Sequence, residues 1–223
     1  MKNVILALII LCLGPSLKAA DPAVVIPKWL ANQTNIQTWA ADFRQVRTLK
    51  SLTQPLVSTG QVWFAAPRNF RWELGGDPPQ TIAIRKDDLM LVAYPRLERV
   101  EKYEFSQMEN NQWKDTLALL QTGFPRSREE LNDQFEISSL SEIQQLYQLE
   151  LIPRSAGARK MMPKIHLLLS TNNFTLAGTE LFFVDGSSMR NEFYNVQTNV
   201  SISNQFDFQI PSGFKVIEPM KPK

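Results

Sequence analysis

The 223-residue sequence predicts an α+β fold, in which one N-terminal helix precedes a run of short antiparallel strands that curl upon themselves. Three observations carry this reading. A helical period over residues 23–35 gives way at Thr38 to alternation of apolar and polar residues. Strand-like stretches then follow in quick succession, each bounded by turn chemistry. The alternation is broken once, between residues 110 and 131, by two stretches at helical spacing.

The chain opens on a stretch that reads as a secretory signal peptide. Lys2 precedes the apolar run VILALIILCL, which is too short to span a membrane as a helix, and GPSLKAA ends it in small residues. Cleavage is expected after Ala19 or Ala20, with Ala19 favoured because a cut after Ala20 would place Lys18 three positions before it. Cys12 is the only cysteine and lies inside this leader. The preceding Leu11 is too large for a lipid-acceptor site, so the mature chain is expected to lack cysteine altogether. An exported chain held by its core without disulfides suits a bacterial periplasm. Of 24 basic and 22 acidic residues, Lys2 and Lys18 fall in the leader and no acid does, so the mature chain is neutral. That balance excludes the clustered excess of positive charge that nucleic-acid binding requires. The remainder, residues 21–223, is long enough for one large domain, with 216–223 expected to be a frayed tail.

In the N-terminal helix, Val24, Val25, Trp29, Leu30 and Ile36 form the apolar stripe, and Pro27 is read as lying in the first turn. From Thr38, Trp39, Ala41 and Phe43 share one face of a strand. Further strands are expected near 55–66, 69–75, 80–86, 88–94 and 96–105, divided by AAPRN, GGDPP, KDD and YPR. Trp113, Leu117 and Leu120 mark one inserted helix, and Ser127-Arg-Glu-Glu the start of another. Strands resume near 134–140 and 145–152, then a basic loop, PRSAGARKMMPK. The final strands are read in KIHLLLS, TLAGTELFFV, MRNEFYNVQT and NQFDFQI, with Asp185-Gly186 as a hairpin signal.

Residues 60–74, GQVWFAAPRNFRWEL, carry the widest apolar face. Val62, Phe64 and Ala66 alternate up to Pro67, and Phe70, Trp72 and Leu74 resume beyond it, set against Arg68, Arg71 and Glu73. LMLVAY, HLLLS and ELFFV are apolar on both faces. Alternation leaves two arrangements open: a closed barrel filled by its own side chains, or an open curved sheet whose concave face encloses a cavity.

No catalytic constellation is present. His166 is the sole histidine, sits between Ile165 and Leu167 in a strand, and has no cysteine with which to form a nucleophilic pair or metal cluster. The chain lacks a nucleophile elbow, a phosphate loop and a dinucleotide fingerprint. Glu98, Glu101 and Glu104, interleaved with Arg99 and Lys102, read as a solvated face. The expectation is a non-enzyme without metal or cofactor; a hydrolase would need His166 to face the cavity beside a serine and a carboxylate.

An ordered set of motifs resembles the LolA/LolB family of bacterial periplasmic lipoprotein carriers over essentially the whole mature chain. The set runs from an N-terminal helix to Phe-x-Gln in ADFRQV (Phe43, Gln45), then G-x-V-W-F-x-x-P with N-F-R-W (Gly60 to Trp72). YPRLERV, DTLALLQTG, FFVDGSSMRNEFYNV and NQFDFQIPSGFKVI follow in the family's order. The resemblance implies an incomplete, strongly curved antiparallel β-barrel with short lid helices over a hydrophobic cavity. It implies a monomeric carrier of acylated lipoprotein, loaded by an inner-membrane ABC transporter and unloaded to an outer-membrane receptor.

By the same resemblance, Phe43, Val62, Phe64, Phe70 and Trp72 are cavity positions, and Trp113, Leu117, Leu120 and Phe124 form the inner face of the lid. Alternation alone adds Leu74, Ile82 and Ile84, and leaves open which face of strand 88–94 looks inward. The sequence departs from the family at one place. Members carry an Arg immediately before the motif's Pro, where it bonds the lid shut; here that residue is Ala66, and an Arg follows at Arg68. Gating and handover are therefore expected to rest on Ala66, Arg68 and Phe70. Two other readings stand beside the carrier: transport of another amphiphile, such as a glycolipid or free acyl chain, and a lipid-sensing interaction module.

Overall fold

The computed structural model describes residues 18–104 and 125–219. In chain order the elements are β1 (Lys18–Ala19), α1 (Pro22–Thr34), β2 (Thr38–Thr48), β3 (Leu56–Ala65), β4 (Asn69–Leu74), β5 (Thr81–Lys86), β6 (Leu89–Tyr94) and β7 (Arg99–Glu104). After the interruption come α2 (Arg128–Gln134), β8 (Phe135–Ile143), β9 (Leu146–Pro153), α3 (Ala156–Met161), β10 (Lys164–Ser170), β11 (Leu176–Phe182), β12 (Ser188–Thr198) and β13 (Lys215–Ile217). All these strands join one sheet in the order β1-β8-β9-β10-β11-β12-β2-β3-β4-β5-β6-β7-β13. Its end strands, β1 and β13, do not pair with each other, so the barrel stays open.

Helix α1 starts where the Asp21 carboxylate accepts the Ala23 amide at 2.8 Å, with Pro22 supplying a preset φ at the first helical position. It buries Val25, Ile26, Trp29 and Leu30. Val24, expected in the stripe, is exposed, and Ile26 takes its place because the buried face lies one residue further along. Pro27 sits inside the helix rather than in its first turn. Its neighbours Ile26 and Trp29 are wholly buried, which offsets the backbone bond that a proline removes. The helix packs against Leu149, Leu151, Ile165, Leu167 and Leu169 of β9 and β10 and fills that half of the inner face.

The curvature of the other half can be read from ring contacts. Trp72 on β4 and Phe193 on β12 are three strand spacings apart, about 14 Å in a flat sheet. Their ring centroids nevertheless lie 6.3 Å apart. Phe43 on β2 reaches Trp72 across the intervening β3, with centroids 4.2 Å apart. Side chains converge in this way only on a concave face. Phe43 has room because its partner on β3 is Gly60. A Cβ at Gly60 would stand 2.5 Å from Phe43 Cζ and would overlap the Glu73 carbonyl oxygen.

Three expectations are corrected near the C-terminus. PRSAGARKMMPK is not an irregular loop: Ser155 caps α3 by accepting the Ala158 amide, and Ala158 and Met162 are buried in the core beneath it. NQFDFQI forms no strand; Ser203–Phe206 is a 3-10 turn, and Phe208 and Phe214 pack onto the outer face of β5–β7. Val216 and Ile217 are paired rather than frayed, because the edge of β7 offers unpaired backbone groups that β13 satisfies as a parallel neighbour. Asp185-Gly186 does form the β11–β12 turn: Gly186 takes φ +81°, and Asp185 Oδ1 accepts both the amide and the hydroxyl of Ser187.

Gly60→Ala is expected to destabilise the fold by about 3 kcal/mol, since neither the Glu73 backbone nor the packed Phe43 ring can withdraw. Urea denaturation followed by tryptophan fluorescence would measure it, and an unchanged midpoint would contradict the packing described.

Candidate functional site

The register of β2 to β7 decides which side chains share the concave face. Phe43 is opposite Gly60, which is opposite Leu74; Val62 pairs with Trp72, and Phe64 with Phe70. Phe43, Val62, Phe64, Phe70, Trp72 and Leu74 therefore lie on one face, as the sequence predicts. Phe43, Val62, Phe64 and Phe70 are buried there, whereas Trp72 and Leu74 are half-buried. Trp39, Met90, Tyr103 and Phe193 complete the surface. Trp39 meets Phe193 edge-on at 5.1 Å.

Ile82 and Ile84 do not belong to it. Trp72 is opposite Ala83 and Phe70 opposite Arg85, so it is residues 83 and 85 that point inward. Ile82 and Ile84 lie on the outer face with Leu91, Ala93 and Val100, beneath Phe208 and Phe214. The difference arises because β5 is apolar on both faces, and only the pairing with β4 fixes its phase. The same register settles β6, where Met90 and Val92 face inward. Trp113, Leu117, Leu120 and Phe124 lie outside the described residues.

The inner face changes character across β5 to β7. Arg85 is buried between its strand partners Phe70 and Met90, and its Nε donates to the Asp87 carbonyl at 3.3 Å. Burial, followed by the charge of Arg68, lowers its pKa. Further along the face, the Tyr103 hydroxyl donates to Glu101 at 2.8 Å, and Arg99 lies 3.3 Å from the same carboxylate. The Arg99 guanidinium also stands 4.4 Å over the Tyr94 ring. Burial, reinforced by Glu101, pushes the Tyr103 phenol well above the usual range. The concave face thus pairs an aromatic floor on β12, β2, β3 and β4 with a polar strip on β5–β7. Sequence reading misses Arg85 and the strip; the available signal is the alternation of Arg99, Glu101 and Tyr103, which by itself reads as a face turned to solvent.

Ala66 and Arg68 occupy the β3–β4 turn at the rim. Ala66 is partly buried against the aromatic floor, and its amide donates to the Gln37 carbonyl. Arg68 is exposed and, among the described residues, has no hydrogen-bond or ion-pair partner. The inward guanidinium at this end of the face is that of Arg85, on the neighbouring strand.

A buried polar chain separates the floor from the helix-filled half. Gln45 donates to Asn191 Oδ1 at 2.9 Å, and Asn191 donates to Thr179 Oγ1 at 3.0 Å. The Phe-x-Gln motif thereby contributes one ring to the floor and one amide to this chain.

His166 lies on the opposite, outer face of β10, between Glu150 of β9 and Glu180 of β11. Nε2 is 3.1 Å from Glu150 and Nδ1 3.5 Å from Glu180. Its ring meets Phe182 edge-on, and Lys164 sits over the same Phe182. Hydrogen bonding from His166 lowers the Glu180 pKa against the opposing effect of burial. For Glu150, burial alone would raise the pKa, but bonds from His166 and Ser138 together with the Lys164 charge outweigh it. His166 is thus a cross-strand clasp facing away from the concave surface, an arrangement unlike the hydrolase geometry. Among the described residues no group of three or more His, Cys, Asp or Glu side chains is arranged to hold a metal ion.

Residues 34–209 match the family model of the outer membrane lipoprotein carrier protein LolA. No curated protein matches the chain. Among solved structures, an uncharacterized conserved protein from Thermus thermophilus is similar, with a TM-score of 0.50 and 9% identity over 86% of this chain and 99% of that one. A LolA superfamily protein from Nitrosomonas europaea aligns with a TM-score of 0.41 and 11% identity, covering 83% of this chain and 98% of its own. The lipoprotein LppX of Mycobacterium tuberculosis aligns with a TM-score of 0.42 and 12% identity, covering 82% and 99% respectively.

The glutamates flanking His166 are expected to make the fold acid-sensitive. Both have folded-state pKa values below those of the unfolded chain, so their contribution is fully present above about pH 4.3 and is lost as pH falls through the folded values. Glu180→Gln should flatten the decline of stability below that pH. His166→Ala should cost about 1–2 kcal/mol at neutral pH, because part-buried Glu150 loses its hydrogen-bond partner and Glu180 a close neighbour, and should leave fatty-acid binding unchanged. Denaturant titrations at pH 3–7, paired with a fluorescent fatty-acid binding assay, would measure both effects.

Proposed function

The chain belongs to the LolA family of outer membrane lipoprotein carriers, and from that membership we propose that it is a periplasmic carrier shielding the acyl chains of a lipoprotein on its concave aromatic face. The observation that carries the reading is the continuous floor of Phe43, Val62, Phe64, Phe70, Trp72, Trp39 and Phe193 inside an open, curved sheet. Each buried methylene contributes about 0.8 kcal/mol, so an acyl chain does not cross an aqueous compartment without such a shield. Aromatic rings and Met90 supply adaptable, non-directional contacts, which suits a carrier that must also release its cargo.

In this reading residues 1–19 or 1–20, which include β1, export the chain and are removed, leaving β8 as that end of the sheet. An inner-membrane ABC transporter delivers the cargo, an outer-membrane receptor accepts it, and Trp113, Leu117, Leu120 and Phe124 close over it. Phe70 stands at the rim beside Arg85 and next to the Ala66–Arg68 turn, where cargo would enter. No catalytic step is required in this reading.

A second reading, transport of a different anionic amphiphile, is favoured by Ala66 and by the polar strip. Alanine cannot make the side-chain bond by which family members hold the lid, and the guanidinium groups of Arg85 and Arg99 line the strip where a head group would lie instead. A lipid-sensing module would use the same floor to report occupancy to a protein partner.

Mass spectrometry of lipid extracted from natively purified protein is expected to find acyl-bearing cargo, and the head group separates lipoprotein from glycolipid or free acid. Consistently empty protein would remove the carrier reading. Phe70→Glu should reduce cargo transfer at least tenfold while circular dichroism stays unchanged, since the new carboxylate would face Arg85 across the strand pair. Undiminished transfer would show that the rim lies elsewhere.

A further inference from the structure

At the end of the sheet opposite the Ala66–Arg68 turn, three connections come together. They are the β2–β3 hairpin (residues 49–55), the β9–β10 connection containing α3 (154–163) and the β11–β12 turn (183–187). The Val184 amide donates to the Met161 carbonyl at 3.1 Å, tying the second to the third. Lys50 Cδ lies 3.8 Å from where a Cβ on Gly186 would sit, tying the first to the third.

This end is exposed and apolar where it projects furthest. Val184 is 70% exposed, Val57 52%, Leu52 45% and Met161 43%. Val184 stands in the β11–β12 turn, Met161 at the end of α3, and Leu52 in the β2–β3 hairpin with Val57 just beyond it on β3. Around them the charge is one-sided. The segments 47–57, 153–164 and 182–189 contain Arg47, Lys50, Arg154, Arg159, Lys160 and Lys164 against the single acid Asp185. Arg154 and Arg159 are engaged with backbone carbonyls, and Lys164 with Glu150. Arg47, Lys50 and Lys160 are exposed and form no salt bridge among the described residues, although Lys50 lies close enough to Asp185 to help hold its carboxylate pKa down. The other connections at this end carry Asp77, Arg96 with Glu98, and Arg126 and Arg128 with Glu129, Glu130 and Asp133 around α2. None of them is basic in balance, so the excess is confined to the three that meet. A basic collar around separate apolar knobs, on a chain whose 24 basic and 22 acidic residues nearly cancel, is complementary to an anionic bilayer surface. The knobs enter the interface while the cations meet lipid phosphates.

We propose that this end is a membrane-docking tip that seats the protein reversibly on an anionic lipid surface, through Val184, Met161 and Leu52 with Lys50 and Lys160. It accounts for the basic PRSAGARKMMPK segment, which the concave face does not use. Docking by this tip leaves the Ala66–Arg68 rim pointing away from the bilayer, free to meet a partner. The inference does not rest on the carrier reading, because none of its residues contacts the aromatic floor.

Sedimentation of purified protein with vesicles of phosphatidylglycerol and phosphatidylcholine in equal parts, against vesicles of phosphatidylcholine alone, tests it. The expected result is at least tenfold stronger partition to the anionic vesicles, at roughly fivefold per engaged cation, weakened by salt. Val184→Asp should lower partition about tenfold, and Lys50→Glu with Lys160→Glu should abolish the preference for anionic lipid. Because these residues are exposed, the variants are expected to fold, which circular dichroism checks. Phe70→Glu should keep vesicle binding even though it loses cargo, which separates the two readings. Equal partition to both vesicle types would overturn the proposal. So would unchanged binding by the tip variants, or loss of binding in Phe70→Glu alone; the last outcome would assign the lipid contact to the aromatic face.

Discussion

Phe43 crosses over Gly60 to reach Trp72, and the concave face is organised around that crossing. A sheet twists because of backbone sterics, but to curl this far it needs a place where side chains on the concave side do not crowd. Gly60 provides that place: the missing Cβ lets the Phe43 ring lie across β3 and pack against a ring two strands away. Once those rings meet, Phe193 follows from the other side and Trp39 packs against it, so the floor and the curvature stabilise each other. Removing the curl would spread the rings into water, and removing the rings would leave no reason for the curl.

The same curvature divides labour between the two faces. The concave side carries the rings, and the polar strip of β5–β7 grades it from apolar to hydrogen-bonding. On the convex side, Phe208 and Phe214 cover Ile82, Ile84 and Leu91, and the Lys86–Asp207 ion pair helps hold that segment in place. Where the convex side is polar, it is knitted by cross-strand clasps such as His166 with Glu150 and Glu180. The histidine that first invites a catalytic reading is thereby explained as an element of the sheet.

Much of this is legible along the chain. The helix before Thr38, the strands at 56–65, 69–74, 81–86 and 89–94 and the Asp185-Gly186 turn all follow from period and turn chemistry, because each depends on residues adjacent in sequence. Phe43, Val62, Phe64, Phe70 and Trp72 are assignable to one face for the same reason. Errors arise where local pattern is degenerate. Ile82 and Ile84 sit in a strand that is apolar on both sides, so alternation gives no phase. Arg99, Glu101 and Tyr103 look like a solvated face unless their partners Tyr94, Val92 and Met90 are known to point inward. Val216 and Ile217 read as loose tail until an unpaired edge lies beside them.

Composition and spacing are enough to encode the N-terminal helix, the strands up to residue 94, the apolar surplus and the family, since each is a property of residues close together in the chain. Four features are fixed only when the chain has folded: the phase of β5 to β7, the inward place of Arg85, the outward place of His166, and the gathering of Val184, Met161 and Lys50 at one end. One physical reason covers all four. A strand's period of two fixes which residues share a face, but which face is inner, and which distant turns meet, is set by hydrogen-bonded register between strands remote in sequence.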